Sequence, residues 1–433
     1  MWRKVVRVGA MIGDGLAQRI SFNFWFKRHR LVLVWALVVL SASCSSPSRS
    51  STASPELSPP QGLAHFYKAL DVLKVGKRKS NLVILHLGDS HIALDYMTGE
   101  MRQRWQALFG NGGRGLPPGV PYRYFAPQGY DITMTSDWSV ASSLQGDTAG
   151  LFGISGFRVE AARPEARMKL TTGYDIETIE IEAYGGPDSG SLFLTLGSAA
   201  PLRLSTRRAT SGVVFLRVPA AKVHEVVLAP MGDGVVTLLG WSMLGSSDHP
   251  GLRYDSYGIS GATLDTTRHW TFAIVDEEIQ RLAPDLILLG YGTNEGFNDH
   301  LDVEAYGLRY TDFVRHLQAL VPQASIVMLG AFDAARHAEE GDGQLCETGW
   351  ATPPKLGEVR NAQRAVARKT GLGFIDGSLV MNGPCGIAPW VNQDPPLAWP
   401  DHVHLRPEGA RRAGAFFWDE IMSAYMARRI TPE

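Results

Sequence analysis

Five short apolar runs punctuate the chain: NLVILHL (81–87), LRYDSYG (252–258), LILLG (286–290), SIVMLG (325–330) and GFID (373–376). Short, mostly apolar runs of this kind predict strands covered on both faces, the condition of a parallel sheet. Between them the apolar period becomes that of a helix. From Asp302, a candidate N-cap, Tyr306, Tyr310, Phe313, Leu317 and Leu320 recur at intervals of four, three, four and three, one stripe of a helix. PPKLGEVRNAQRAVARKTG (353–371) opens on prolines and closes on Gly371, the usual asymmetry of helix ends. A last helix starts at Pro407 and turns Phe416, Phe417, Ile421 and Tyr425 inward. Strands alternating with helices predict an α/β fold with a doubly wound parallel sheet.

Residues 131–247 break this rhythm. ETIEIEAYG (177–185) sets Glu180 and Glu182 against Ile179, Ile181 and Ala183, the period of two of a half-buried antiparallel strand. SLFLTLG, GVVFLRVP, HEVVLAP and GVVTLLGWSML follow as further strands, separated by GGPDSG, GSAAP and MGDG turns. This spacing predicts an antiparallel β-sandwich inserted into the α/β domain, whose two parts are then 61–130 and 248–433.

The N-terminus has another character. KRHR (27–30) precedes the apolar run LVLVWALVVLSAS (31–43), shorter than the ~20 residues of a membrane-spanning helix. A basic flank, an apolar run and a small-residue end are the layout of a secretory signal over 1–44, whose reading frame starts at Met1 or Met11. SASC resembles a lipobox, with Ser41 where leucine is usual, which makes Cys44 a candidate lipidation site and the chain a membrane-tethered lipoprotein; a cleaved signal or an uncleaved anchor are the alternatives. The Ser/Pro-rich residues 45–60 read as a linker. Export places the protein in the periplasm or outside the cell, where the remaining cysteines, Cys346 and Cys385, can pair as a disulfide or stay as a buried free pair. Lys+Arg 42 against Asp+Glu 43, with no basic stripe, sets nucleic-acid partners aside. No Cys/His spacing points to a metal, and no cofactor motif is present.

Four polar positions fall just after predicted strands, where sites of open parallel sheets form. Ser90 sits in GDSH, a turn that would present its hydroxyl beside unpaired backbone N–H groups. Gly261 lies in YGISGATLD, where a missing Cβ lets a backbone N–H approach a ligand. Asn294 lies in LILLGYGTNEGFN, and its amide can donate to an oxyanion. Asp401 and His404, in WPDHVHLRPEG, are three residues apart, a spacing that lets a carboxylate hold an imidazole. His402 competes as base, and the spacing prefers His404. Asp89 and His91 read as turn residues and local support, with substrate contact by His91 as the alternative.

The blocks GDSH, GISGAT, GTNE and DHVH, in this order, resemble the SGNH hydrolases (GDSL-type esterases and lipases) over 61–130 and 248–433. The resemblance implies a serine esterase with Ser90, His404 and Asp401 as catalytic triad and Ser90, Gly261 and Asn294 as oxyanion hole. Glu295 departs from the aspartate usual after the asparagine, at a position the family does not require for catalysis. A second GISG (153–156) lacks the ATL continuation, so Gly261 takes the role. LHLGDSHIALDYMTGEMRQRWQALFGNGGRG (85–115) further resembles peptidoglycan O-acetylesterases, which carry a carbohydrate-binding-module-like β domain between the first two blocks. Implied are deacetylation of cell-wall glycan and an acetylated glycan as partner. Action on another acetylated polysaccharide, acetyl transfer, and an inert glycan-binding lipoprotein remain as alternatives. The oligomeric state is not legible.

Overall fold

The computed structural model describes residues 60–119, 126–145, 150–245, 248–339 and 343–427. The signal-like run, Cys44 and residues 45–59 of the linker lie outside the described residues. The five apolar runs form the strands Leu82–Gly88, Leu252–Gly258, Leu286–Gly290, Ser325–Leu329 and Gly373–Ile375. All pairings among them are parallel. Leu82–Gly88 lies between Leu252–Gly258 and Leu286–Gly290, followed outward by Ser325–Leu329 and Gly373–Ile375. Numbered along the chain this is the order 2-1-3-4-5, flavodoxin-like, with its switch point between the strands that precede Ser90 and Asn294.

Side chains alternate across this sheet. Ile84, Leu286 and Leu288 pack under the helices Ala64–Lys74, Tyr96–Phe109 and Pro407–Ala427; Leu85, Ile287 and Leu289 pack under Phe272–Leu282, Val303–Leu320 and Leu356–Thr370. Asp302 caps its helix by accepting from Ala305 N–H at 3.0 Å, and Tyr306, Tyr310, Phe313 and Leu317 are buried as the stripe requires. Gly371 closes the next helix at φ 74°. In the last helix Phe417, Ile421 and Tyr425 are buried, while Phe416 stays half-buried at the edge.

The described residues of the inserted region are β-strands and loops apart from one short 3-10 turn, Ser143–Gln145, and they do not form a separate sheet. Asn111–Leu116 pairs parallel with Leu252–Gly258 and antiparallel with Val236–Leu244, so one sheet runs from the parallel strands into the insert. Its sequence, NGGRGL, has the composition of a turn and carried no strand signal. GVVFLRVP and HEVVLAP are one strand, Gly212–Pro230, bent where Ala221 and Lys222 take φ 49° and 65°. The partner strand Met168–Gly185 shifts register between Thr171 and Thr178. Its C-terminal half pairs with Val236–Leu244 and its N-terminal half with Tyr130–Met134, so the two long strands each serve two sheet layers. Ile179, Ile181 and Ala183 are buried as the alternation requires. Glu180 is buried too, against the half-exposed expectation, because Arg281 of the helix Phe272–Leu282 covers that face and donates to Glu180 Oε2 at 2.8 Å.

Candidate active site

Three parallel strands end in glycines that lie side by side, Gly88 pairing with both Gly258 and Gly290. A Cβ at Gly258 would collide with the backbone of Asp89 and Ala93, and one at Gly88 with Gly290 O. The row lets the GDSH turn settle directly on the carboxyl ends of these strands. There Asp89 N–H donates to Gly290 O at 3.2 Å, and the Asp89 carboxylate caps the turn by accepting from His91 N–H at 3.0 Å. Ser90 is the first residue of the turn Ser90–Ala93, so its N–H has no partner within that turn.

His404 arrives from a tight loop before the last helix. Trp399 N–H donates to His404 O and Arg406 N–H to Leu397 O, each at 2.8 Å. Asp401 Oδ1 accepts from the N–H groups of Val403 and His404, each at 3.0 Å, which shapes the turn. Its other oxygen lies 2.8 Å from His404 Nδ1, and His404 Nε2 lies 3.0 Å from Ser90 Oγ. One carboxylate therefore builds the loop and orients the ring. With Nδ1–H donating to Asp401, Nε2 is the bare nitrogen that accepts from the serine hydroxyl. Burial alone would raise the Asp401 carboxyl; the hydrogen bonds from the His404 ring and the two N–H groups outweigh it and hold its pKa at about 2.

Gly261 follows its strand at φ 83°, the left-handed region. A Cβ there would meet only Leu144 Cδ2, at 3.9 Å, so the backbone angle rather than lack of space calls for glycine. Asn294 Nδ2 donates to Ala262 O at 2.8 Å, which joins the GTNE turn to the loop bearing Gly261. Glu295 joins it again, its Oε1 accepting from Leu264 N–H at 2.7 Å. Glu295 is buried, and among the described residues its Oε2 has no hydrogen-bond partner. Burial, only partly offset by the Leu264 N–H, pushes its pKa up to about 7. No motif assigns Glu295 a task; the structure makes it a brace for the Gly261 loop.

His402 does not reach Ser90. Its ring nitrogens face Pro400 O at 3.0 Å and Glu347 Oε1 at 2.7 Å, and the ring stacks on Trp350 with centroids 3.6 Å apart. Glu347 belongs to a small sheet of Arg336–His337, Leu345–Glu347 and Trp350–Ala351, which the Cys346–Cys385 disulfide staples down. His91 is buried, 4 % exposed, rather than offered to a substrate. The second GISG is structural: Ile154 N–H donates to Glu278 Oε2 at 2.5 Å. Beside His404 and Asp401 opens a mostly apolar cleft of about 490 Å³, lined by Leu94, Tyr96, Trp399, Pro400 and Leu405. Among the described residues no cluster of His, Cys, Asp or Glu is placed to hold a metal, and no helix is long and apolar enough to cross a membrane.

Residues 234–412 match the GDSL-like lipase/acylhydrolase family model. The stretch holds Gly261, Asn294, Asp401 and His404; Ser90 precedes it, on the far side of the insert. The fold is similar to a solved structure described as a peptidoglycan O-acetylesterase in action, at TM-score 0.72 and 22% identity over 86% of this chain and 99% of that one. A family two carbohydrate esterase from Cellvibrio japonicus covers 69% of this chain and 99% of its own at 11% identity and TM-score 0.28, too slight a likeness to bear on the fold. No curated protein sequence matches the chain. Residues 234–412 thus carry a GDSL-like lipase/acylhydrolase domain, that of the SGNH hydrolases, which makes the chain a carboxylic ester hydrolase, and the chain shares the fold of a peptidoglycan O-acetylesterase structure.

Proposed function

We propose that the chain removes O-acetyl groups from cell-wall glycan through a Ser-His-Asp acyl-enzyme mechanism. The observation that carries this reading is the hydrogen-bonded relay from Ser90 Oγ through His404 to Asp401, with spacings of 3.0 and 2.8 Å. Ser90 Oγ attacks the acetyl carbonyl carbon while its proton passes to His404 Nε2, and Asp401 stabilises the imidazolium. The N–H groups of Ser90 and Gly261 and the Asn294 amide receive the oxyanion; removing one such donor costs about 3–4 kcal/mol of transition-state stabilisation. His404 returns the proton to the departing sugar oxygen. Water then attacks acetyl-Ser90, His404 takes its proton, and acetate leaves with Ser90 restored.

The acetyl group and the peptidoglycan substrate are supported by the likeness to the peptidoglycan O-acetylesterase structure. The basic flank, apolar run and Cys44 support export and a membrane-tethered, periplasmic lipoprotein, where an enzyme would meet the wall. The β insert is the candidate grip on the glycan chain.

The test is acetate release from O-acetylated peptidoglycan by the full chain and by its Ser90→Ala variant. Release by the first and not the second is expected. Ser90-dependent cleavage of 4-nitrophenyl acetate without release from the wall would move the substrate to another acetylated polysaccharide. Appearance of the acetyl group on an added glycan instead of as acetate would make the protein a transferase. Wall binding without any hydrolysis would make it a glycan-binding protein.

A further inference from the structure

His91 stands where both of its ring nitrogens meet acceptors. Nδ1 lies 3.1 Å from Asp89 Oδ1 and Nε2 lies 3.3 Å from Val403 O. A carbonyl oxygen can only accept, so Nε2 must carry a proton to bond it. Asp89 Oδ1 already accepts the His91 backbone N–H as turn cap and faces Nδ1 as a second acceptor contact, so Nδ1 carries a proton as well. The ring lies flat on Phe332, with centroids 4.4 Å apart and planes 14° from parallel, and 6.0 Å from the His404 ring. Val403 is one of the two residues between Asp401 and His404, so the carbonyl that His91 holds belongs to the loop that carries acid and base.

We propose that His91 is a doubly protonated positioning residue that ties the loop of Asp401 and His404 to the turn of Ser90. This rests on the assignment of those three residues in the proposed function and gives it a moving part. The charged and titratable groups around the ring are Asp89 on its own turn and Asp401 and His404 on the opposite loop. Tyr291 and Glu295 lie beyond Asp89, after the strand Leu286–Gly290. Burial acts to strip the proton; Asp89 foremost, then the Val403 carbonyl and Asp401, outweigh it and raise the pKa above the ordinary histidine value.

With an acceptor at each ring nitrogen, the proton is retained to higher pH than on an ordinary histidine and lost as pH rises through that raised value. On its loss Asp89 keeps the remaining proton on Nδ1, the bare Nε2 faces Val403 O, and the tie becomes a repulsion. The tie is intact below that value and broken above it.

Two measurements decide. In ¹⁵N-histidine spectra of the wild type, with His91 assigned through its own backbone, both ring nitrogens should be protonated at neutral pH and only Nδ1 on the alkaline side. A ring with one bare nitrogen at neutral pH overturns the proposal, with no need of any variant. In pH profiles of 4-nitrophenyl acetate hydrolysis, wild type should lose kcat/KM on the alkaline side. His91→Gln should be ~10-fold slower at neutral pH, the size of one lost hydrogen bond from a charged donor, and should lack the alkaline fall. Parallel profiles for the two proteins overturn the proposal. Hydrolysis that survives Ser90→Ala would instead remove the reading beneath it.

Discussion

Replacing Asp401 with asparagine should disable the site by reversing one proton. Asp401 Oδ1 receives two backbone N–H groups, and Oδ2 receives His404 Nδ1–H. In Asp401→Asn the amide oxygen has to stay with the two N–H groups, because an NH2 cannot accept them. The NH2 is then left against Nδ1 and donates into it, which moves the ring proton to Nε2. That nitrogen lies 3.0 Å from Ser90 Oγ and would no longer accept the hydroxyl. The carboxylate that stabilises the imidazolium is lost in the same step. A fully buried triad acid treated this way costs about ten-thousandfold in kcat. The Asp401 side chain is 49% exposed, so water moderates its charge, and the expected loss is roughly a thousandfold, about 4 kcal/mol of barrier. The assay is kcat for 4-nitrophenyl acetate at neutral pH, beside thermal unfolding of the variant. A loss smaller than about tenfold with an unchanged Tm would show that Asp401 does not set the His404 tautomer, since a correctly folded site would then be working with the wrong one.

Three further expectations concern stability. Asp95, at φ 48°, is buried with Arg102 Nη1 and Arg114 Nη2 each 2.9 Å from its carboxylate, and although burial opposes the charge the two guanidiniums hold its carboxyl far below the usual range. Asp95→Asn leaves two buried cations without a counter-charge and should cost about 3–5 kcal/mol by denaturant unfolding; a cost below ~1 kcal/mol would show that the cluster is not the anchor it is taken for. Glu295 has a folded pKa of about 7 against an ordinary carboxyl value near 4.5. Its ionisation therefore weakens the fold as pH climbs from the lower value to the upper. Glu295→Gln should remove this pH dependence and raise Tm above neutral pH, and an unchanged pH dependence of Tm would count against the buried carboxyl. Cys346 and Cys385 are 39 residues apart, so reducing the disulfide should lower stability by about 4 kcal/mol in the chain-entropy view. Urea midpoints with and without reductant measure this, and identical midpoints would contradict it.

What the sequence made legible follows from which forces write themselves into local pattern. Leu82–Gly88 and Leu286–Gly290 are covered on both faces, and continuous apolarity is the mark of that burial. The Asp401–His404 pair is legible because both ends of the interaction sit on one turn. Asn111–Leu116 left no mark, because a glycine-rich segment holds its place through the backbones of Leu252–Gly258 and Val236–Leu244 on either side. Glu180 looked like a solvent-facing residue because the helix whose Arg281 covers it comes a hundred residues later. The distant contacts of Glu295, His91 and His402 escaped for a similar reason. Their partners, Leu264, Val403 and Glu347, stand far off in sequence, and no spacing connects them. A signal did exist for His402: an aromatic and an acid, Trp350 and Glu347, flank the same cysteine-bearing loop.

If Ser90 carries the acyl group, the mass of the enzyme itself records it. Wild type mixed with an excess of 4-nitrophenyl acetate, acid-quenched within the first turnovers and digested, should yield the peptide containing Ser90 with one acetyl group added. The Ser90→Ala protein should yield none. An acetyl group on another residue, or hydrolysis proceeding with Ser90 unmodified at every quench time and still present in Ser90→Ala, would show that Ser90 is not the nucleophile.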